Sequence, residues 1–478
     1  MKFDLSKKYC FYFNEISKIP RGSRNEKAVS DYVVNFAKEH GYPYLQDDTY
    51  NVIVEKPASA GYEDSETVLL QAHMDMVCEK NKDVEHDFEK DPLDLYVDEE
   101  GWLCAKGTTL GADDGMGVAY MLAILDDPSL KHPPLQCIFT TMEEIGLLGA
   151  LNLKREYFHG KRYINLDEGG EDCTCVTSSG GARVVMRRKL AYEDSKDPGF
   201  CLQIRGLKGG HSAGCIHLEL GNAILLGARV LEELSRKYPD IRIADFNGGM
   251  KFNAIPRESD IVFTSAAAID QLNQDAEECF RRISSELQYS DPGFYGKIVS
   301  VSSVKKALSC AETTQILQFL NVIPNGLLHH SMAIKGLSTA SLNAGVIHIE
   351  NDTLSLDDLV RSAAASHGDM ILRQLEILSP LFGFEFILSD RYYGWDFEKD
   401  SPMREILRQV LKERGIKMEE VAIHGGLECG VFKGLIPDLD IITYGPVTED
   451  IHTPDERLNL ASFDRAYENL LKVLERCI

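Results

Sequence analysis

The segment Leu69-Leu70-Gln71-Ala72-His73-Met74-Asp75-Met76 decides the reading of this chain, because an apolar run ends in a histidine and, two residues on, an aspartate. In extended backbone, residues i and i+2 project to the same side. His73 and Asp75 therefore face one space where a strand ends, and open α/β sheets place their ligand sites at the carboxyl ends of strands. If that is the design, neighbouring strands should also finish in polar side chains.

Two of them do. Residues 135–140 read as a buried strand running into Met142-Glu143-Glu144-Ile145-Gly146, and residues 162–166 as another running into Asp167-Glu168-Gly169-Gly170. Between the first and second of these three strands lie an acidic, turn-rich segment, residues 78–100, expected as an exposed loop, and the run Leu110-Gly111-Ala112-Asp113-Asp114-Gly115-Met116-Gly117. A compact apolar helix is expected over residues 118–125. Upstream, a short helix stops before Pro20-Arg21-Gly22. A second, residues 28–38, carries Val29, Tyr32, Val33, Phe36 and Ala37 on one side and ends at Gly41 before Pro43. Strands alternating with helices predict an α/β fold with a mixed, mostly parallel sheet covered by helices.

From about residue 183 the texture changes to alternating strand patterns such as Val184-Val185-Met186-Arg187-Arg188, with amphipathic helices at 221–238 and 271–287. The α/β style returns near the end, with a helix at 401–415, a loop at 424–430, a strand at 440–444 and a helix from Ser462. The expected layout is a catalytic domain made of residues 1–182 and 396–478, interrupted by an α+β lid domain of residues 183–395. A length of 478 residues exceeds one comfortable core and agrees with two.

A formal charge of −24 argues against nucleic acid or an anionic membrane as partner, since both need a basic footprint. No window approaches the roughly 18 consecutive apolar residues of a membrane span. The start, Met1-Lys2-Phe3-Asp4, lacks a signal-peptide pattern, and twelve scattered cysteines without a CxxC pair read as reduced thiols. A cytoplasmic enzyme is the expectation.

His73, Asp75, Asp113, Glu143, Glu144, Asp167 and His452 then need a common purpose. Imidazoles and carboxylates without thiolates suit Zn²⁺ in a hydrolytic site, with Mn²⁺ or Co²⁺ as substitutes. So many carboxylates near one point repel one another unless cations stand between them. Two ions sharing one bridging carboxylate settle that charge, and the glycines around Asp113 supply the tight loop such a bridge needs.

The ordered segments LLQAHMDM, TLGADDGMG, TTMEEIGLLGA, INLDEGG and IHTPDERL resemble the co-catalytic zinc peptidases of the aminoacylase and carboxypeptidase G group. With LKGGHSAG, KFNAIPRE, LNVIPNG, TASLNAGVI and HGGLECGVF, they are most similar to the aminoacyl-histidine dipeptidase branch, which also cleaves β-alanyl-histidine. The resemblance implies two Zn²⁺ per chain: His73 and Asp167 on one, Glu144 and His452 on the other, Asp113 bridging. It further implies that Asp75 orients His73, that Glu143 is the general base for the attacking water, and that the Asp113–Asp114 peptide is cis. Asp114 by itself reads as a turn or capping residue.

For the lid, the resemblance implies that His211 reaches the developing oxyanion, from its own subunit or a neighbouring one. Asn253 and Arg361 bind substrate backbone and terminal carboxylate, Gly425 and Gly426 offer N–H groups to that carboxylate, and Glu428 meets a substrate amine. The implied substrate is a dipeptide, Xaa-His included. A broader dipeptidase or tripeptidase, or an N-acyl amino acid deacylase, carries the same metal site. The lid is long enough either to form a homodimer or to cover the site alone. One departure bears on specificity: many relatives carry lysine or arginine after the paired aspartates, where this chain has Gly115-Met116-Gly117.

Overall fold

All six residues of the strand Val68–His73 are buried, as are all six of its neighbour Leu135–Thr140. Full burial on both faces explains why these strands read as continuous apolar runs instead of alternating ones. The computed structural model describes residues 2–302 and 304–478. Its contacts divide the chain into two units: one made of residues through Thr177, Trp395–Ala422 and Leu427–Ile478, the other of Ser178–Gly394 and Ile423–Gly426.

In the first unit a six-stranded sheet runs Tyr44–Gln46, Val52–Lys56, Leu135–Thr140, Val68–His73, Arg162–Asn165, Asp440–Thr443. Val68–His73 pairs parallel with both neighbours, and Arg162–Asn165 pairs parallel with Asp440–Thr443. The remaining two pairings, through Val52–Lys56, are antiparallel. The sheet is therefore mixed and mostly parallel, as expected, and its last strand comes from the far end of the chain. The helix Ala112–Asp126 is buried nearly all round and forms one continuous core with the helix Lys8–Ile16, the sheet and the C-terminal helix.

Local chemistry sets the helix ends. Gly41 closes Lys27–His40 at φ 70°, where a side chain is disfavoured. Ser401 Oγ accepts the Arg404 N–H ahead of Pro402–Glu413, with Pro402 at the first helical position. Asn459 caps Leu460–Arg476 through the Ser462 N–H. The acidic segment expected as a loop contains a short strand, Leu95–Val97, which pairs antiparallel with Trp102–Ala105 in a separate four-stranded sheet.

The second unit is α+β. Its nine-stranded sheet orders Tyr295–Val301, Gly199–Arg205, Ser259–Thr264, Arg242–Gly248, Ser338–Glu350, Thr353–Ser362, Gly180–Lys189 and Glu385–Tyr392, with Gly326–His330 paired to Ser338–Glu350. The helices Ala223–Lys237, Ile269–Glu286, Cys310–Val322 and Ala365–Leu381 share one hydrophobic core with it. Residues Ile423–Gly426 group with this unit, because the Ser179 N–H donates to the Gly425 carbonyl at 2.8 Å and His424 lies between two of the unit's serines.

Candidate active site

His73 ends its strand fully buried, with Nε2 2.8 Å from Asp113 Oδ1 and 3.9 Å from Asp167 Oδ2. Its Nδ1 lies 3.1 Å from the Asp75 carbonyl oxygen and 3.4 Å from Asp75 Oδ1. The spacing of two thus places both side chains on one side, as extended geometry requires. Asp75 does more than face His73. Its carboxylate accepts the Glu143 N–H at 3.0 Å, the Glu144 N–H at 3.3 Å and the Ser23 hydroxyl at 2.7 Å.

The turn carrying the two glutamates follows the strand Leu135–Thr140, and it holds Met142 and Leu147 at positive φ, 52° and 61°. Opposite them, Asp113 Oδ2 lies 3.1 Å from His452 Nε2, and Glu144 Oε1 lies 3.0 Å from the same nitrogen. The Asp113 carboxylate therefore points one oxygen at each histidine. The Asp113–Asp114 peptide is cis. Asp114 accepts the Gly117 N–H at 3.0 Å, which is a capping contact, and its other oxygen has no hydrogen bond among the described residues.

Three sets each bring one donor atom per residue within 4.8 Å of one another: His73 with Asp114 and Asp167, His73 with Glu143 and Glu144, and Asp113 with Glu144 and His452. Electrostatics shows how strained this gathering of charge is. Burial opposes a proton on His73, yet hydrogen bonding to Asp113 and Asp75 raises it well above the usual imidazole range. Hydrogen bonds to Asp113 and Glu144 push His452 up to about 10. Burial, with repulsion from Glu428 and Glu144, pushes Glu143 well above the carboxylate range against the pull of His73. Burial and the charges of Asp113 and Asp114 do the same to Asp167. Cations fit such a set: they relieve the repulsion among five carboxylates, and they give a partner to Asp114 Oδ2, which accepts no hydrogen bond among the described residues.

Glu428, expected at a substrate amine, opens the helix Glu428–Leu435 inside the segment read as a loop. It is fully buried, accepts from Thr140 Oγ1 at 2.8 Å and from Gln71 Nε2, and burial raises it to about 7. Leu427 at the N-cap has no side chain that could have announced this helix.

In the second unit, Gly210–His211 pairs antiparallel with Ala254–Ile255, His211 opposite Ala254. The Ser212 N–H donates to the Asn253 carbonyl at 2.9 Å, and Ser212 Oγ accepts from Arg361 Nε at 3.4 Å. Arg361 is buried and its Nη1 donates to the Tyr392 hydroxyl at 3.5 Å, while a side chain at Gly426 would meet that hydroxyl at 2.7 Å. Ser212 and Tyr392 thereby link His211, Asn253, Arg361 and Gly426. His424, buried beside Gly425, has Nδ1 2.8 Å from Ser179 Oγ and Nε2 2.7 Å from Ser341 Oγ. Burial and then the Arg361 charge lower it to about 4, so its imidazole is neutral at pH 7. Tyr392 gave no sequence signal, and Ser212 and His424 lay inside the motifs LKGGHSAG and HGGLECGVF without a role assigned to them, because their partners lie on distant strands.

Fold and residue set together define a hydrolase class: residues 69–476 match the description of peptidase family M20/M25/M40, and the chain belongs to that family. Particular relatives narrow the likeness. The chain is 36% identical to the cytosol non-specific dipeptidase of Escherichia coli over 467 residues, 97% of this chain and 96% of that one. It superposes on the crystal structure of aminoacylhistidine dipeptidase from Vibrio alginolyticus with a TM-score of 0.90 and 33% identity, covering 98% of this chain and 96% of that one. The aminopeptidase PepT of Bacillus cereus, at TM-score 0.56 and 15% identity over the whole of both chains, shares the fold.

Proposed function

We propose that this chain is a dinuclear metal dipeptidase that hydrolyses Xaa-His dipeptides, β-alanyl-histidine among them, in the cytoplasm. The observation that carries the reading is the Asp113 carboxylate, which directs one oxygen at His73 and the other at His452. In this reading His73 and Asp167 hold one ion, Glu144 and His452 the other, and Asp113 both. The donor set favours zinc, with manganese or cobalt as substitutes. When bound, such a pair lowers the pKa of water and polarises a carbonyl.

The remaining work falls to the chain's own side chains. Glu143 accepts the proton of the attacking water at its carboxylate and returns it to the leaving amine nitrogen. Asp75 holds His73 by its ring and Glu143 by its backbone N–H. His211 Nδ1 accepts the Ala213 N–H at 3.3 Å, so the neutral ring carries its proton on Nε2, where it donates to the oxyanion of its own or a neighbouring subunit's centre. Arg361 binds the terminal carboxylate with its guanidinium, aided by the Gly425 and Gly426 N–H groups, and Asn253 binds substrate backbone. The names of the two close relatives, aminoacylhistidine dipeptidase and non-specific dipeptidase, support cleavage of dipeptides.

The second of those names also favours a broader dipeptidase. A substrate panel separates the readings: β-alanyl-histidine, several Xaa-His and other dipeptides, tripeptides and N-acetyl amino acids, each assayed with zinc- and manganese-loaded protein. Higher kcat/KM on Xaa-His than on other dipeptides is the expected result. Equal rates on all dipeptides would shift the assignment to the broad enzyme, and no dipeptide hydrolysis at all would overturn it.

A further inference from the structure

Two fully enclosed charged side chains beside the candidate centre have no part in the scheme above. Arg21 sits in the loop after the first helix, and Glu456 follows His452 by four residues; both are buried. Placing a charge in the interior is expensive unless hydrogen bonds and an opposite charge compensate it, so the partners of each group reveal its task.

The partners of both are backbone. Glu456 Oε2 accepts the N–H groups of Leu110 and Gly111 at 2.8 and 2.9 Å, and its Oε1 those of Ala112 and Asp113 at 2.8 and 3.3 Å. One carboxylate thus ties down four successive residues ending at the central aspartate. Arg21 Nη1 donates to the carbonyls of Met74 and Asp75 at 3.0 and 3.2 Å, and its Nη2 donates to that of Gly111. The guanidinium therefore spans from the His73 strand end to the Asp113 loop. Of the charges that attract it, Glu456 comes first, ahead of Asp75 and Asp114.

The surroundings are shaped to admit it. A Cβ at Gly111 would lie 2.5 Å from Arg21 Nη2, and one at Gly115 would lie 2.6 Å from the same atom. Gly111 is also at φ 64°, where L side chains are disfavoured. The glycines around Asp113 therefore do two things: they turn the loop and they clear the path of the guanidinium.

We propose that Arg21 and Glu456 are positioning residues that act as one brace, fixing the separation of His73 and Asp75 from Asp113 before any cation binds, so that the two-ion state forms at low metal concentration. The proposal rests on the metal ligands assigned above. Without the brace, the two loops must be brought to ligand spacing at the expense of binding free energy, which weakens metal binding even where the fold survives.

The test uses metal-free full-length wild type, Arg21→Lys, Glu456→Gln and the double variant, titrated with Zn²⁺ against a chromophoric chelator. Each is also loaded with Co²⁺ for its visible spectrum and melted in the metal-free state. Arg21→Lys keeps the charge but loses the fork, so it is the variant to rely on if Glu456→Gln does not fold. Each single variant is expected to bind zinc about 10- to 100-fold more weakly. The double variant should lose no more than the weaker single one, the Co²⁺ spectrum should shift, and kcat should fall with KM for dipeptide nearly unchanged. Folded variants with lower melting temperatures but wild-type zinc affinity and Co²⁺ spectra would reduce the pair to structural packing and overturn the brace. Losses that multiply in the double variant would overturn its action as a unit. A wild type that binds no zinc would instead remove the underlying metal assignment, which separates the two failures.

Discussion

Replacing Asp75 by asparagine tests the division of labour at the centre most directly. The carboxylate receives the Glu143 and Glu144 N–H groups, the Ser23 hydroxyl and the edge of the His73 ring at the same time. Asparagine keeps the shape but turns one oxygen into a donor. If the remaining oxygen stays on Glu143, the new NH₂ group faces the Glu144 N–H, so at least one hydrogen bond to a charged acceptor is lost and one donor faces another. Hydrogen bonds to charged groups contribute about 1.5–3 kcal/mol each. A loss of about 3 kcal/mol in the transition state is roughly a hundredfold in kcat, at about 1.4 kcal/mol per tenfold. His73, Asp113 and Asp167 keep their donor atoms, so metal affinity should fall by about 100-fold at most, and saturating zinc should still fill both positions. His73→Ala removes a donor outright. Steady-state kinetics on a dipeptide, with metal content measured after gel filtration in saturating zinc, separates the two. Asp75→Asn should retain wild-type metal content with kcat down about a hundredfold, whereas His73→Ala should lose one ion. An Asp75→Asn enzyme within threefold of wild-type kcat, or one that loses as much zinc as His73→Ala, would refute the assignment.

Three further outcomes follow from other parts of the structure. Asp358 is fully buried in the second unit with neither carboxylate oxygen hydrogen-bonded among the described residues, and burial followed by the charge of Asp357 raises its pKa well above the usual range. The unfolded chain ionises near pH 4 while the folded protein keeps the proton, so stability falls as pH rises from there toward the folded pKa. Asp358→Val should stabilise the protein by about 2 kcal/mol. Calorimetry at pH 5 and pH 8 should find the larger gain at pH 8, and an equal or smaller gain there would contradict the account. Gly115→Ala places a methyl group against Arg21 and should destabilise by about 1–3 kcal/mol, read as a lower melting temperature; an unchanged melting curve would mean the guanidinium yields freely. Removing metal with a strong chelator should abolish dipeptide hydrolysis and zinc should restore it, whereas activity that survives complete metal removal would exclude the proposed chemistry.

Much of the candidate site could be read from residue types at strand ends. His73, Glu143, Glu144 and Asp167 stand at the ends of strands whose largely apolar residues announce burial, complete in Val68–His73 and Leu135–Thr140 and all but Arg162 in Arg162–Asn165. His452 and Asp113 needed the ordered motifs, because His452 sits on an irregular loop and Asp113 in the non-helical first turn of Ala112–Asp126, where no periodicity points. What stayed hidden has a common cause. Glu456 and Arg21 bind main-chain groups, and a backbone N–H looks the same in every residue, so no pattern of side chains marks their targets. Tyr392 and His424 acquire meaning only when distant strands meet. The strand Leu95–Val97 was lost among acidic neighbours because three residues are too few to show alternation. Ile423–Gly426 left no boundary signal, since it joins the second unit through contacts with residues far away in sequence, Ser179 and Ser341 among them.

The order of strands in the first unit also sets when its sheet can be completed. Arg162–Asn165 leaves the ribosome with one edge unpaired, and its partner Asp440–Thr443 follows only after the whole second unit has been made. At ordinary elongation rates that interval is on the order of ten seconds to a minute. His452 and Glu456 emerge later still. On the proposed ligand assignment, a nascent chain that stops short of residue 452 holds His73, Glu143 and Asp167 without the second histidine, and it is expected to cut no peptide until that residue has been added.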